Sequence, residues 1–227
     1  MTDSPPISLV CCDLASVVID GSIVERAFAE AIATQGIVTG TQDYARSMVR
    51  FDKSHGRAPA AVLRDLFDGD EPRAQAASMA FERSFRAAAQ RFSLDIPADV
   101  ADALGKTAGS GARICLLTML SRRSCGDFIG LLRTADLVLC GEDAPRGFPW
   151  PDPVLTAMLR LGAADVREVA MVSATPDGVL AGSRAGAGIV AGLVNGRHGR
   201  VGALREAGAT HVLDSIAELP GLVAQPA

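Results

Sequence analysis

The segment Ile7-Ser-Leu-Val-Cys-Cys-Asp13 is apolar almost throughout and stops abruptly at a carboxylate. A short run without alternation suits a strand buried on both faces of a parallel sheet, and the Asp marks its carboxyl end. Parallel strands need long crossovers, so its partners must lie well downstream. The next strand-like run is Arg113-Ile-Cys-Leu-Leu-Thr118. Between the two, only helical patterns occur. Ile23, Val24, Ala27, Phe28, Ala31 and Ile32 recur at helical spacing, Phe81, Phe85, Ala88 and Phe92 mark one face of a long helix, and Pro59 and Pro72 stand where helices can begin. After Pro97, strand-like runs end near Thr118, Cys140, Val172, Ala191 and Leu213. Helical stretches over roughly 98–108, 123–132, 151–161, 176–185 and 200–207 separate most of them. This alternation predicts an α/β fold: a doubly wound parallel sheet with right-handed crossovers and helices on both faces. The expected core spans 1–20 and 95–227, and the expected all-helical insertion spans 21–94.

With 227 residues there is room for one such core plus a small inserted subdomain. A hydrophobic content of 48 % against 21 % charged excludes general disorder. No apolar run approaches ~18 residues, so no membrane span is expected. A net charge of −4 gives no general electrostatic case for nucleic acid. Cys11, Cys12, Cys115 and Cys140 sit inside apolar runs without metal-type spacing, and Met1–Pro6 lacks a basic leader region. These features read as buried thiols in a reducing, cytoplasmic setting.

Ligands of doubly wound sheets bind beyond the carboxyl ends of the strands. The ends legible here are Asp13, Thr118, the loop 141–152 and Ser173–Asp177. Asp13-Leu-Ala15-Ser-Val-Val-Ile-Asp20, followed by a helical insertion, resembles the first motif of the haloacid dehalogenase superfamily. It is most similar to the phosphonoacetaldehyde-hydrolase-like branch, where that motif reads Asp-x-Ala-Gly-Thr-x-x-Asp. Thr118, Cys140-Gly-Glu-Asp143, Pro149-Trp-Pro-Asp152, Thr175-Pro176, Ala181-Gly182, Ala185-Gly186 and Thr210-His-Val-Leu-Asp-Ser215 extend the likeness along nearly the whole chain. The resemblance implies a Rossmann-like core with a C1-type helical cap and a catalytic role for Asp13.

The departures carry as much information. In the resembled family, magnesium is held by the first Asp, by a backbone carbonyl two residues later and by a fourth-motif Asp. Here that last stretch is Ser173-Ala174-Thr175-Pro176-Asp177-Gly178, with Ala174 and Gly178 in place of carboxylates. Magnesium needs hard anionic oxygens, so no magnesium or other metal cofactor is expected. Asp177 is one residue out of register, a turn of about 100° on a helix. It is a candidate for the cleft, but Thr175 as cap, Pro176 in the first turn and Asp177 at the positive helix end form a sufficient structural reading. Phe148 replaces the third-motif base, with Arg146 upstream as a residue that could reach in. Pro59 stands where the resembled hydrolases carry a Schiff-base lysine, leaving nearby Lys53 as the shifted candidate.

Without magnesium or lysine, a phosphate dianion against Asp13 places like charges in a partly dry cleft, at a cost of several kcal/mol per ion. The leading expectation is therefore a repurposed enzyme, acting without metal on a small-molecule substrate. Asp13 serves as general base or as partner to a cationic group. Amides and hydroxyls at Leu14, Ala15, Ser16, Thr118, Met119 and Ser173 hold an anionic leaving group. Sulfate fits better than phosphate, since its ester carries one charge. The resemblance permits sulfate elimination with amine cyclisation, such as aziridine formation in natural-product pathways. The other readings are a non-catalytic metabolite- or partner-binding protein and a phosphonatase-like hydrolase with residual activity. Trp150 either stacks on substrate or packs under the cap, and His55 either faces the cleft or lies in a solvated turn. A homodimer or a pathway-enzyme partner is compatible with the chain.

Overall fold

The computed structural model describes residues 5–18, 21–54, 56–91, 96–126, 135–194 and 200–224. Asp20, His55, Phe92, His198 and most of the helix expected over 123–132 lie outside these residues.

The apolar runs fold as anticipated into a six-stranded, wholly parallel sheet. Its strands are β1 (Leu9–Asp13), β2 (Arg113–Leu117), β3 (Leu137–Leu139), β4 (Val169–Ser173), β5 (Ile189–Leu193) and β6 (His211–Leu213), in the order β3-β2-β1-β4-β5-β6. β1 is central and pairs with β2 and β4. Alternate residues of β1 enter two separate cores. Val10 and Cys12 pack with Ile114, Leu116, Ala170 and Val172 on one face. Leu9 and Cys11 pack with Cys115, Leu117, Leu139 and Met171 on the other. Burial on both faces explains why the strand sequence shows no alternation.

Short α1 (Leu14–Val17) follows β1 directly. Four helices come next: α2 (Gly21–Ala33), α3 (Gln42–Asp52), α4 (Pro59–Leu66) and α5 (Glu71–Arg91). Pro59 does open a helix. α6 (Ala98–Gly109) leads into β2, and α7 (Arg122–Cys125) follows it. α8 (Asp152–Leu161), α9 (Pro176–Ala185), α10 (Val201–Glu206) and α11 (Leu219–Val223) complete the described helices. Val154 and Ala157 of α8 and Ala181 of α9 cover one sheet face, while α6 joins the core on the other. Among the described residues, no helix is long and apolar enough to cross a membrane. All five cysteines are buried free thiols.

The inserted helices are tied to the strand ends at two places. On α5, Glu82 accepts a hydrogen bond from Ser121 Oγ at 2.8 Å, and Arg86 donates to the Arg123 carbonyl at 3.0 Å. In the α3–α4 loop, Gly56 has φ +95°, and a Cβ there would stand 3.0 Å from both Thr175 Oγ1 and Asp177 Cβ. Only glycine adopts that backbone at that distance without strain. Phe28 of α2 stacks on Phe51 of α3 with ring centroids 4.2 Å apart, and Phe28 is wholly buried. Truncating such a ring leaves a cavity. Phe28→Ala is expected to cost about 3–5 kcal/mol, read as a lowered midpoint in urea unfolding followed by circular dichroism.

Candidate active site

Asp13 ends β1 and caps α1, so the backbone carries its carboxylate to the carboxyl edge of the sheet. The side chain is only 3 % exposed. Oδ2 accepts hydrogen bonds from Ser16 Oγ and Ser173 Oγ, each at 2.8 Å. Oδ1 accepts a longer bond, 3.2 Å, from the Ala15 amide. Ser16 in turn accepts from the Ala174 amide at 2.8 Å, which locks α1 to the end of β4. Ser173 Oγ accepts from the Thr175 amide at 3.1 Å. Burial pushes the Asp13 carboxyl above its ordinary range, and these neutral donors, with the Thr175 hydroxyl, pull it partly back. The neighbouring Cys12 thiol is pushed up to about 12, chiefly by burial, so it is no thiolate nucleophile at neutral pH.

Asp13 lines a cavity of about 90 Å³ between the strand ends and the inserted helices. Ala15, Thr118 and Met119 share its wall. Apolar surface comes from Val24, Phe51 and Pro59. The Thr118 hydroxyl accepts a hydrogen bond from the Leu120 amide at 3.2 Å, and its own proton is engaged by no acceptor among the described residues. A larger recess of about 330 Å³, bordered by Glu82, Ser121 and Glu142, shares Pro59 and Met119 as walls.

Several expected participants lie elsewhere. Ser16 and Ser173 are not in the cavity wall; they stand behind Asp13, so they hold the carboxylate rather than a leaving group. Leu14 turns its side chain wholly into the core, so only its backbone amide is left for the role expected of it. Lys53 is exposed at the end of α3 and does not line the cavity. Trp150, 45 % exposed, also stays out of it. Arg146 and Arg184 stack on its ring at 4.3 and 5.3 Å, which satisfies its π-face without a ligand. Arg146 is held by Asp152 through bonds of 3.0 and 2.9 Å, so it does not reach in. Phe148 is a core residue packed near Leu117 and Met171.

Asp177 occupies the first turn of α9, whose cap is Thr175, accepting from the Gly178 amide at 3.2 Å. Asp177 does not line the cavity. Burial raises its carboxyl, and Arg57 and Arg184 draw it down. Arg57 is the functional candidate that sequence reasoning passed over. It lines the cavity with Asp13 and donates to Asp65 Oδ2 at 2.8 Å. Its only sequence signal is a cation set between Gly56 and Pro59 in the cap loop.

This donor set does not fit magnesium. Asp13 is a single carboxylate with three hydrogen bonds already on it, and no cluster of three His, Cys, Asp or Glu side chains occurs among the described residues. A Cβ at Gly178 would fall 2.3 Å from Ser173 Oγ, so a side chain there and the Ser173–Asp13 bond exclude each other.

A family model described as haloacid dehalogenase-like hydrolase matches residues 7–186. Phosphonoacetaldehyde hydrolase from Pseudomonas putida is 32 % identical over an alignment 110 residues long that covers 39 % of this chain. That match spans only 40 % of the relative's length. A hydrolase from Pseudomonas syringae superposes with a TM-score of 0.78 at 19 % identity, covering 95 % of this chain and 97 % of that one. A phosphonoacetaldehyde hydrolase-like protein from Oleispira antarctica gives 0.78 at 18 % identity, covering 98 % and 93 %.

Two outcomes follow from the geometry. Between the ordinary carboxylate range and its raised value, Asp13 keeps a proton in the folded protein that the unfolded chain has lost. Stability therefore falls as pH rises through that window. Asp13→Asn removes this ionisation cost and keeps an acceptor for the serines. Its melting temperature should match the wild type in acid and equal or exceed it at neutral pH, as measured by calorimetry across pH. Gly178→Ala should lower stability by about 1–3 kcal/mol through overpacking against Ser173, despite alanine's better helix propensity; chemical denaturation reads this directly.

Proposed function

The chain belongs to the haloacid dehalogenase-like hydrolase family, and we propose that within it this protein works without magnesium, using Asp13 toward the amine of a small substrate that releases an anionic group. The observation that carries this is the Asp13 environment: a buried carboxylate held by two serine hydroxyls and one amide, with no metal-type group of three ligand side chains among the described residues. A carboxylate raised by burial is a better proton acceptor than an ordinary one. Oδ1, which accepts only a long bond of 3.2 Å from the Ala15 amide where Oδ2 accepts two short ones, is the oxygen better placed to accept.

A leaving group that departs without metal must be a weak base. A sulfate ester is a monoanion, whereas a phosphate monoester approaches a dianion, and the second charge sits poorly opposite a buried carboxylate. An amino-alkyl sulfate ester satisfies both ends of the site. The amine nitrogen attacks the carbon bearing the sulfate, the C–O bond breaks, and sulfate leaves with the electron pair. Asp13 takes the proton that the nitrogen loses, and the product is a strained cyclic amine such as an aziridine. The cavity of about 90 Å³ suits the reacting end, and the adjoining recess of about 330 Å³ takes the rest of the molecule.

Hydrolysis of the phosphonoacetaldehyde type is the second reading, favoured by the 32 % identity to that hydrolase. The two separate in one assay. The purified protein is incubated with 2-aminoethyl sulfate esters and, separately, with phosphonoacetaldehyde and p-nitrophenyl phosphate, each with magnesium or with EDTA. Sulfate release insensitive to EDTA, lowered about 100-fold or more by Asp13→Asn, is the expected result. Phosphate release that EDTA abolishes would instead establish the hydrolytic reading.

A further inference from the structure

Arg57 is placed over the strand ends by the way its loop is seated. Gly56, at φ +95°, lets the backbone press against Thr175 and Asp177 with no Cβ in the way. The next residue then faces the same small cavity as Asp13 and Thr118. Among the described residues, Arg57 is the one cationic side chain in that wall. Its guanidinium spends one N–H on Asp65, at 2.8 Å, across a pair in which the side chains are 36 % and 48 % exposed. Arginine carries five such donors in a planar fork suited to oxyanions. An exposed ion pair holds its partner weakly, so a ligand inside the cavity can take over the guanidinium at little cost.

We propose that Arg57 is the receptor for the anionic group of the substrate, so that this site selects molecules carrying a cation and a monoanionic oxyanion a few bonds apart. This rests on the reading that the substrate's amine faces Asp13. In the cavity wall one buried carboxylate and one arginine, which also attracts Asp177 from outside the wall, face such a molecule, and apolar Phe51, Val24 and Pro59 span the distance between them. Asp65 is then a competitor that parks the guanidinium when the cavity holds no anion.

The test uses inorganic sulfate, titrated calorimetrically into the full-length protein, with inorganic phosphate as the comparison. Wild type should bind sulfate more tightly than phosphate near neutral pH. Arg57→Ala should weaken sulfate binding at least tenfold. Asp65→Asn should tighten it about two- to fivefold by freeing the guanidinium. Asp13→Asn should tighten it as well, by removing the like charge. Because Asp65→Asn predicts a gain, misfolding of the Arg57 variant cannot imitate the whole pattern. Sulfate binding that ignores both Arg57→Ala and Asp65→Asn overturns the assignment, even for a protein that turns over sulfate esters. Loss of the Asp13-dependent turnover alone would overturn the amine reading and leave the sulfate receptor standing.

Discussion

One buried carboxylate organises this molecule. Asp13 closes the central strand, caps the helical turn that follows, and is held by hydroxyls from two sides of the sheet edge. A charge placed there without partners would be costly. Ser16 and Ser173 meet that cost and at the same time stitch α1 to the end of β4. The local stability of the strand ends and the reactivity of the site therefore depend on the same three side chains. Positions 174 and 178 carry the small residues Ala and Gly, and the space is used. Ser173 fills the volume that a side chain at 178 would need.

The sheet was legible because each strand is a short apolar run bounded by turns, and burial on both faces removes the ambiguity of alternation. The helices of the insertion were legible from their spacing, with Pro59 placing a start. The Thr175–Pro176–Asp177 start of α9 could be read locally, since a cap is a contact between near neighbours. The site was legible only where it lies on a strand end: Asp13, Ala15, Thr118 and Met119 share the cavity wall. What failed were the contacts between distant segments. Nothing near Ser173 reveals that it bonds a residue 160 positions earlier. Trp150 looked like a cleft residue because its loop follows a strand, yet two arginines claim its faces. Lys53 and Arg57 differ by four positions, yet Lys53 caps the end of α3 in solvent while Arg57, next to the seated Gly56, lines the cavity.

The charge economy of the cleft follows from that seating. The core contributes one negative group, and the inserted helices contribute one positive group whose resting partner is exposed. The two opposite charges in the cavity wall thus come from two parts of the chain. The sheet edge turns a carboxylate, and the α3–α4 loop a guanidinium, toward the same cavity.

The protein has a single tryptophan, and it lies outside the cleft, 45 % exposed between two guanidinium groups. As an intrinsic fluorophore it reports on the α8–α9 side of the sheet. Its emission starts from an already hydrated ring, so ligand occupancy at Asp13 should leave the spectrum nearly unchanged. A silent fluorescence titration on this protein would consequently say nothing about whether the cavity is filled.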